Sequence, residues 1–446
     1  MKIAESADIF PGGGPDFPGL SYKKPLKKGR NRYKSQFLTL RPIRPERTMT
    51  LKKNDSSSSA NPGTAGSALP TWTYAREDLL ELEYPPFFVE TWQFVGHVNE
   101  LQQSGDFITL DLWKDSVVVT RASDGLLRAF LNICRHRATR LLDGRGNCGS
   151  MIKCPYHGWT YQTDGRLAGI PSPKNFPGVD RSEYGLFEAQ CEVYRGLVFV
   201  RIAGEGPSVA EKMANADHWV ESYKAEEYVL LSEAVTETWN ANWKIAWDNY
   251  LENYHLAVGH PCLHRLVVES EQGAMLLGGN SAGFFEMNPK LSSVDQERRY
   301  QEIVGCTDHR YPEEIRRKWL QIDFESNMGI EFYPSLFSVF QVLPMGAEKT
   351  QIRMSLYTPA DLSESEKELR SIDLALLDEI NGQDKFLCER IQRGVKTHGY
   401  RPGPLSQEES GIANFHDRIR KLLPVTRLKS PPPRGQIEAH NQQESS

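Results

Sequence analysis

Four residues in one stretch of the chain could hold a metal centre. Cys134-Arg135-His136 is followed, after 17 residues, by Cys154-Pro155-Tyr156-His157-Gly158-Trp159. Each pair offers one thiolate and one imidazole, and four such donors suit zinc or a [2Fe–2S] cluster. The order within the pairs separates these readings. Zinc fingers usually pair Cys with Cys and His with His, because two like segments grip one ion. Two mixed pairs instead let both thiolates take one iron of a two-iron cluster and both imidazoles the other. Tyr156 and Trp159 can shield such a cluster, and Gly158 permits a tight backbone. Cys148 lies between the pairs and is not needed.

A second set lies about a hundred residues downstream. The run from Asn242 to His255 carries Trp243, Ala246, Trp247, Tyr250 and Tyr254 at three- and four-residue steps, a helical period. His255 and His260 are five positions apart, which on an ideal helix separates their side chains by about 140°. They cannot share an ion on a straight helix. Gly259 and Pro261 suggest that the helix ends there, so that His260 swings back from the next turn. Two imidazoles and one carboxylate make the facial triad of a non-haem Fe(II) oxygenase, with positions left open for O2 and substrate.

The C-x-H and C-P-Y-H-G-W boxes match the Rieske domain family residue for residue. With the downstream histidines, the chain resembles the oxygenase (α) subunits of the Rieske non-haem iron oxygenases, the aromatic ring-hydroxylating family, over residues 75 to 425. The resemblance implies an α+β protein in which a small all-β Rieske domain precedes a helix-grip catalytic domain built on an antiparallel sheet. It also implies a Rieske cluster on Cys134, His136, Cys154 and His157, and a mononuclear Fe(II) on His255, His260 and a later carboxylate. The segment from Gln383 to Gly394 resembles the family's C-terminal helix, where an acidic residue precedes an x-Cys-Glu-x-x-Gln-x-Gly run, and this makes Asp384 the choice. Asp378, Glu379 and Glu389 are its rivals. Where relatives often have Glu-Asp, this chain has Gln383-Asp384. Glu252, three residues before His255, matches the acidic residue that bridges a cluster histidine and an iron-bound histidine of neighbouring subunits in a ring, usually a trimer.

The elements that must position these residues can be read coarsely. Residues 1–70 form a basic, Ser-rich arm expected to be disordered. Residues 71–205 are expected to hold an entry helix over Glu77 to Trp92 and the cluster domain, with strands at Phe107–Leu112, Ser116–Thr120, Leu126–Leu131 and Gly196–Ile202. Residues 206–425 are expected to form the catalytic domain. It comprises a helix over Val209–Tyr223, a strand over Val229–Asn242, a helix over Trp243–Val258, two long strands within 330–357, and a long helix from Ser363 to Arg393. Ser363 and Glu366 form the capping box of that helix. Residues 426–446, with Pro431-Pro432-Pro433, are expected to be disordered.

The chain has 446 residues, 39% of them hydrophobic and 25% charged, with a formal net charge of −5. This excludes fibrous and wholly disordered classes and argues against a nucleic-acid partner. No apolar run reaches the length of a membrane span. Seven cysteines spread through a long chain do not make a disulfide scaffold, and the cytoplasm is the expected location. No Gly-rich nucleotide fingerprint stands between a strand and a helix. NAD(P)H oxidation therefore falls to a separate flavin reductase, with or without a ferredoxin. The family resemblance implies a terminal oxygenase, a homotrimer with or without β subunits. It would hydroxylate or oxidatively demethylate a small aromatic or a quaternary amine, and cis-dihydroxylation in aromatic catabolism is the alternative. Phe332, Phe337 and Phe340 are candidates for an apolar pocket or a cation-binding cage. A non-catalytic Rieske carrier or a zinc protein is the reading from another class; the further 240 residues with their own ligand set count against it.

Overall fold

The structure, a computed structural model, describes residues 68–306 and 310–445. The arm assigned to residues 1–70 lies outside the described residues except at its end, where Leu69 is buried. Entry begins with helix α1 (Glu77–Tyr84), extended by a wider turn at Pro85–Val89. The expected helix thus stops short of Trp92.

Ten strands follow: β1 (Gln93–His97), β2 (Asp106–Asp111), β3 (Ser116–Arg121), β4 (Leu127–Leu131), β5 (Arg145–Asn147), β6 (Met151–Lys153), β7 (Thr160–Gln162), β8 (Leu167–Gly169), β9 (Glu188–Tyr194) and β10 (Leu197–Arg201). Seven form an antiparallel sheet in the order β1-β10-β9-β4-β3-β2-β5, and β6-β7-β8 form a separate three-stranded sheet. Val117, Val118 and Val119 are buried on both faces of β3, as β-branched residues at the centre of a packed sheet should be.

Two short helices, α2 (Val209–Met213) and α3 (Asp217–Tyr223), replace the single helix expected there. Strand β11 (Tyr228–Trp239) leads into α4 (Trp243–Tyr250), α5 (Leu256–Gly259) and α6 (Pro261–Leu266). Then come β12 (Val267–Met275), β13 (Ser281–Met287), α7 (Asp295–Cys306), β14 (Lys318–Phe324), β15 (Met328–Phe332), β16 (Phe337–Gly346) and β17 (Lys349–Pro359). The seven strands make one antiparallel sheet, β11-β17-β16-β15-β14-β13-β12. Helix α8 (Glu364–Val395) packs on it through Leu369, Ile372 and Leu377, and its Ser363–Glu366 capping box is formed. The chain is therefore α+β, with a small all-β unit followed by a helix-gripped antiparallel sheet.

The C-terminal segment differs from expectation. Helix α9 (Ser410–Leu422) falls within the expected catalytic domain, but α10 (Ile437–Glu444), in the tail expected to be disordered, is ordered, and Ile437 is buried. The Trp72 indole donates to the Leu428 carbonyl at 2.8 Å and Arg76 donates to the Pro432 carbonyl at 3.0 Å. The proline run is a stiff connector whose free carbonyls are used as acceptors, so the described residues from 426 to 445 clasp the entry segment and are ordered.

Candidate metal centres and pocket

The two Cys/His boxes fold into the same turn. In the first, the Cys134 N–H donates to the Thr139 carbonyl and the Ala138 N–H to the Cys134 carbonyl. In the second, the Cys154 N–H donates to the Trp159 carbonyl and the Gly158 N–H to the Cys154 carbonyl. The fifth residue of each turn is left-handed, Ala138 at φ 51° and Gly158 at φ 72°. This is why a glycine suits the second box. The first turn follows β4 and the second joins β6 to β7, so two separate hairpins present their donors together. Cys134 and Cys154 are buried, and the rings of His136 and His157 lie 4.6 Å apart. His136 stacks on Trp159 at 5.1 Å.

The donor set asks for a cation. His136 Nδ1 is buried with no hydrogen-bond partner, a state that folded proteins rarely tolerate. Burial pushes the Cys134 thiol up, against the thiolate form, although the Tyr161 hydroxyl at 3.3 Å pulls it back. These four residues fit a cluster with two sulfur and two nitrogen ligands. Cys148 lies aside and donates to the Gly105 carbonyl at 3.2 Å. All the cysteines are free.

The second centre lies where α4 ends. The expected helix over Trp243–Val258 stops at Tyr250, and His255 starts a new turn after a break. Glu252 sits in that break, not on a helix. Its carboxylate accepts the His255 backbone N–H at 3.0 Å and faces His255 Nδ1 at 2.6 Å. Pro261 occupies the first turn of α6 and pushes His260 out of helical geometry, to φ −128° and ψ 69°. His260 thereby turns back as expected. The two Nε2 atoms stand 3.1 Å apart, and Asp384 Oδ1 lies 2.8 Å from His260 Nε2 and 3.6 Å from His255 Nε2.

The outer bonds set which nitrogens carry lone pairs. Gln383 donates its amide to Glu379 at 3.0 Å, which aims its oxygen at His260 Nδ1, 2.7 Å away. With each Nδ1–H donated outward, to Glu252 and to Gln383, both Nε2 lone pairs face one carboxylate oxygen. Three electron-rich atoms converging in this way repel unless a proton or a cation lies between them. Burial would lower the His255 pKa, yet Asp384 and Glu252 outweigh it and raise it to about 9. His260 is 1% exposed. Among the described residues, His255, His260 and Asp384 form a group able to hold a metal ion.

The rivals to Asp384 have other places. Asp378 and Glu379 are exposed. Glu389 accepts the Asn240 backbone N–H at 3.0 Å, and Gln392 accepts that of Asn242 at 2.8 Å. The Cys-Glu-x-x-Gln run of α8 thus anchors the entry to α4, while Cys388 packs beneath Ile245. Two supporting residues were missed from sequence. Asn249 donates to Asp384 at 2.8 Å, and Gln383 stood out only as a departure from the family's Glu. No periodicity marks either one.

A cavity of about 120 Å³ opens beside the three donors. Its walls include Tyr250, Trp319, Tyr333 and Phe340. Tyr250 is stacked between Trp247 and Phe340 at 4.8 and 5.4 Å. This stack needs Gly329, because a Cβ there would come within 2.1 Å of the Tyr250 hydroxyl. Of the three phenylalanines singled out from sequence, Phe340 lines the cavity. Phe332 and Phe337 point from the sheet's other face into a core with Tyr223 and Tyr228.

Residues 91–185 match the Rieske [2Fe-2S] domain and residues 217–424 match the catalytic domain of ring-hydroxylating α subunits. The chain belongs to the Rieske non-haem iron oxygenases, as an oxygenase component. It is 30% identical to the carnitine monooxygenase oxygenase subunit of Acinetobacter pittii (strain PHEA-2), over 77% of this chain and 88% of that one. It is 29% identical to the glycine betaine monooxygenase oxygenase subunit of Pseudomonas aeruginosa (strain PAO1), over 83% and 94%. Its fold also matches a quaternary ammonium Rieske monooxygenase solved with L-carnitine, at a TM-score of 0.65 and 24% identity, over 80% of this chain and 95% of that one. Members of the family carry a Rieske cluster and a mononuclear iron and draw electrons from a reductase, so the protein is an O2-dependent oxidoreductase. Among the described residues no helix is long and apolar enough to cross a membrane.

Proposed function

We propose that this chain is a terminal oxygenase acting on a quaternary amine, by hydroxylating a carbon beside nitrogen and thereby demethylating it. The observation that carries this reading is the convergence of His255, His260 and Asp384 at the wall of a small aromatic cavity whose described lining contains no lysine or arginine. Aromatic faces without a competing cation suit a quaternary ammonium. The names of the carnitine and glycine betaine relatives support the same choice.

Cys134, His136, Cys154 and His157 would hold the cluster and His255, His260 and Asp384 the iron. When bound, these groups relay electrons and activate O2. One oxygen atom enters a C–H bond and the other leaves as water, with two electrons and two protons supplied from outside. The resulting hemiaminal splits to formaldehyde, the shorter amine and a proton. Glu252 and Gln383 hold the two imidazoles by their Nδ1–H groups and so keep both Nε2 atoms aimed inward. Asn249 does the same for Asp384. The apolar rings exclude bulk water from the carbon to be attacked. In a ring of subunits, Glu252 also accepts a bond from a cluster histidine of the neighbour and joins the two centres. A flavin reductase, directly or through a ferredoxin, supplies the electrons in the cytoplasm.

A single-turnover assay tests this. Reduced, anaerobic protein is mixed with O2 and a quaternary amine or an aromatic acid, and products are weighed by mass spectrometry. Demethylated amine and formaldehyde are expected in equal amounts. A cis-diol from the aromatic acid, with the amines inert, would overturn it.

A further inference from the structure

Glu331 is a carboxylate at the middle of a buried sheet. Strand β15 is the fourth of seven strands, and its side chains alternate. Met328, Ile330 and Phe332 enter the core on one face. Gly329 and Glu331 face the other way, where Tyr250 crosses Gly329 and the cavity lies. Stability alone favours an apolar residue at such a position.

The carboxylate is held but not neutralised. The Tyr333 and Ser338 hydroxyls both donate to its Oε2, at 2.8 and 2.7 Å. Among the described residues no lysine, arginine or histidine forms an ion pair with it. It lies within electrostatic reach of Asp384. Burial raises the Glu331 carboxyl, as expected of an acid lacking a cationic partner. Tyr333 is clamped edge-on by Trp319 at 5.1 Å, so the oxygen that orients Glu331 belongs to the same aromatic wall.

We propose that Glu331 is the counter-charge for the substrate's ammonium group, and that it sets the cavity's preference for a cation bearing no carboxylate. This rests on the quaternary-amine reading above and narrows it. Of the three lining carboxylates, Glu252 is committed to His255 and Asp384 to the metal donors, which leaves Glu331 to face a substrate cation, and the described lining has no lysine or arginine to meet a substrate carboxylate. Choline-type amino alcohols fit this charge pattern better than zwitterions. Glu331 is a specificity-determining residue, and among the described residues no hydrogen bond or ion pair joins it to the metal donors.

Calorimetry on the air-oxidised holoprotein tests this without turnover. The probes are choline, its uncharged isostere 3,3-dimethylbutanol, and glycine betaine. The wild-type protein should bind choline at least about tenfold more tightly than either other probe, the scale of a desolvated cation held by rings and a carboxylate. Glu331→Gln should erase most of the preference over the isostere while leaving the isostere's own affinity unchanged. If Glu331→Gln fails to fold, Glu331→Asp replaces it, and should weaken choline several-fold but not the isostere. A Gln variant that keeps the preference overturns the role of Glu331 and leaves the amine reading standing. Wild-type protein that binds glycine betaine as tightly as choline overturns the exclusion of carboxylates. Binding of no ammonium probe at all overturns both readings.

Discussion

At the scale of single residues, two kinds of buried polar group stand out. The first is the donor that is unsatisfied without metal, such as His136 Nδ1. Cys134→Ser removes a thiolate that a hydroxyl cannot replace at an Fe–S site. The purified variant is expected to lose the red-brown visible spectrum, and a full spectrum would refute the assignment of Cys134. The second kind is the acid whose carboxyl burial raises. Asp373, on α8, accepts hydrogen bonds from Tyr300 and Ser335, and burial raises its carboxyl from 3.8 to about 7. The folded state then binds this proton more tightly than the unfolded state. Its contribution to stability is full below about pH 4 and is lost as pH rises through about 7. Asp373→Asn should remove that slope. Melting temperatures between pH 4 and 8 should fall less steeply for the variant than for the wild type, and parallel curves would contradict the raised carboxyl.

At the scale of elements, α4 is the piece that must not move, because Asn249 on it supports Asp384. Its first turn is fastened by Lys244, wholly buried and 2.6 Å from Glu83 on α1, and Glu83 also accepts the Trp243 indole N–H at 2.7 Å. Breaking a buried pair from one side leaves an unmatched charge and typically costs about 3–5 kcal/mol. Glu83→Gln should therefore lower the unfolding free energy by roughly that much, while adding Lys244→Met should recover part of it. Chemical denaturation of the two variants checks this, and additive losses would show that the pair is not coupled. The regular parts of these elements were legible in the sequence. The Trp and Tyr spacing of α4, the Ser363–Glu366 cap of α8 and the valines of β3 report local periodicity and capping, which neighbouring residues carry. The break after Tyr250 was not legible, because it is set by the Glu252 carboxylate seizing the His255 backbone and side chain, and helical spacing runs straight through it. Glu252 was singled out through the family resemblance, as the acid three residues before His255, and it lies in that break. The order of 426–445 was hidden as well, since it depends on Trp72 and Arg76 some 350 residues earlier.

At the scale of the whole molecule, the two Cys/His boxes and the two downstream histidines could be picked out in the sequence because each set is local. The cavity was not, because Tyr250, Trp319 and Phe340 come from α4, β14 and β16 and Tyr333 from the turn after β15, which only the folded sheet brings together. Glu331 had no motif to announce it. The coupling of the two centres falls at this scale. Glu252→Gln should leave both metals bound, because the amide oxygen still accepts from His255. As a neutral group it holds two imidazole N–H groups less strongly, so electron transfer from cluster to iron should slow. Stopped-flow oxidation of the reduced cluster, with substrate and O2 present, reads this directly, and a wild-type rate would remove Glu252 from the path. The central claim is that one chain holds two independent metal centres, with Asp384 the carboxylate of the second. Iron analysis of Asp384→Ala, with its visible spectrum, tests that claim most directly. Iron should fall from about three to about two per chain, with the cluster colour intact and turnover lost. An unchanged iron content with normal turnover, or loss of the colour with the iron, would contradict it.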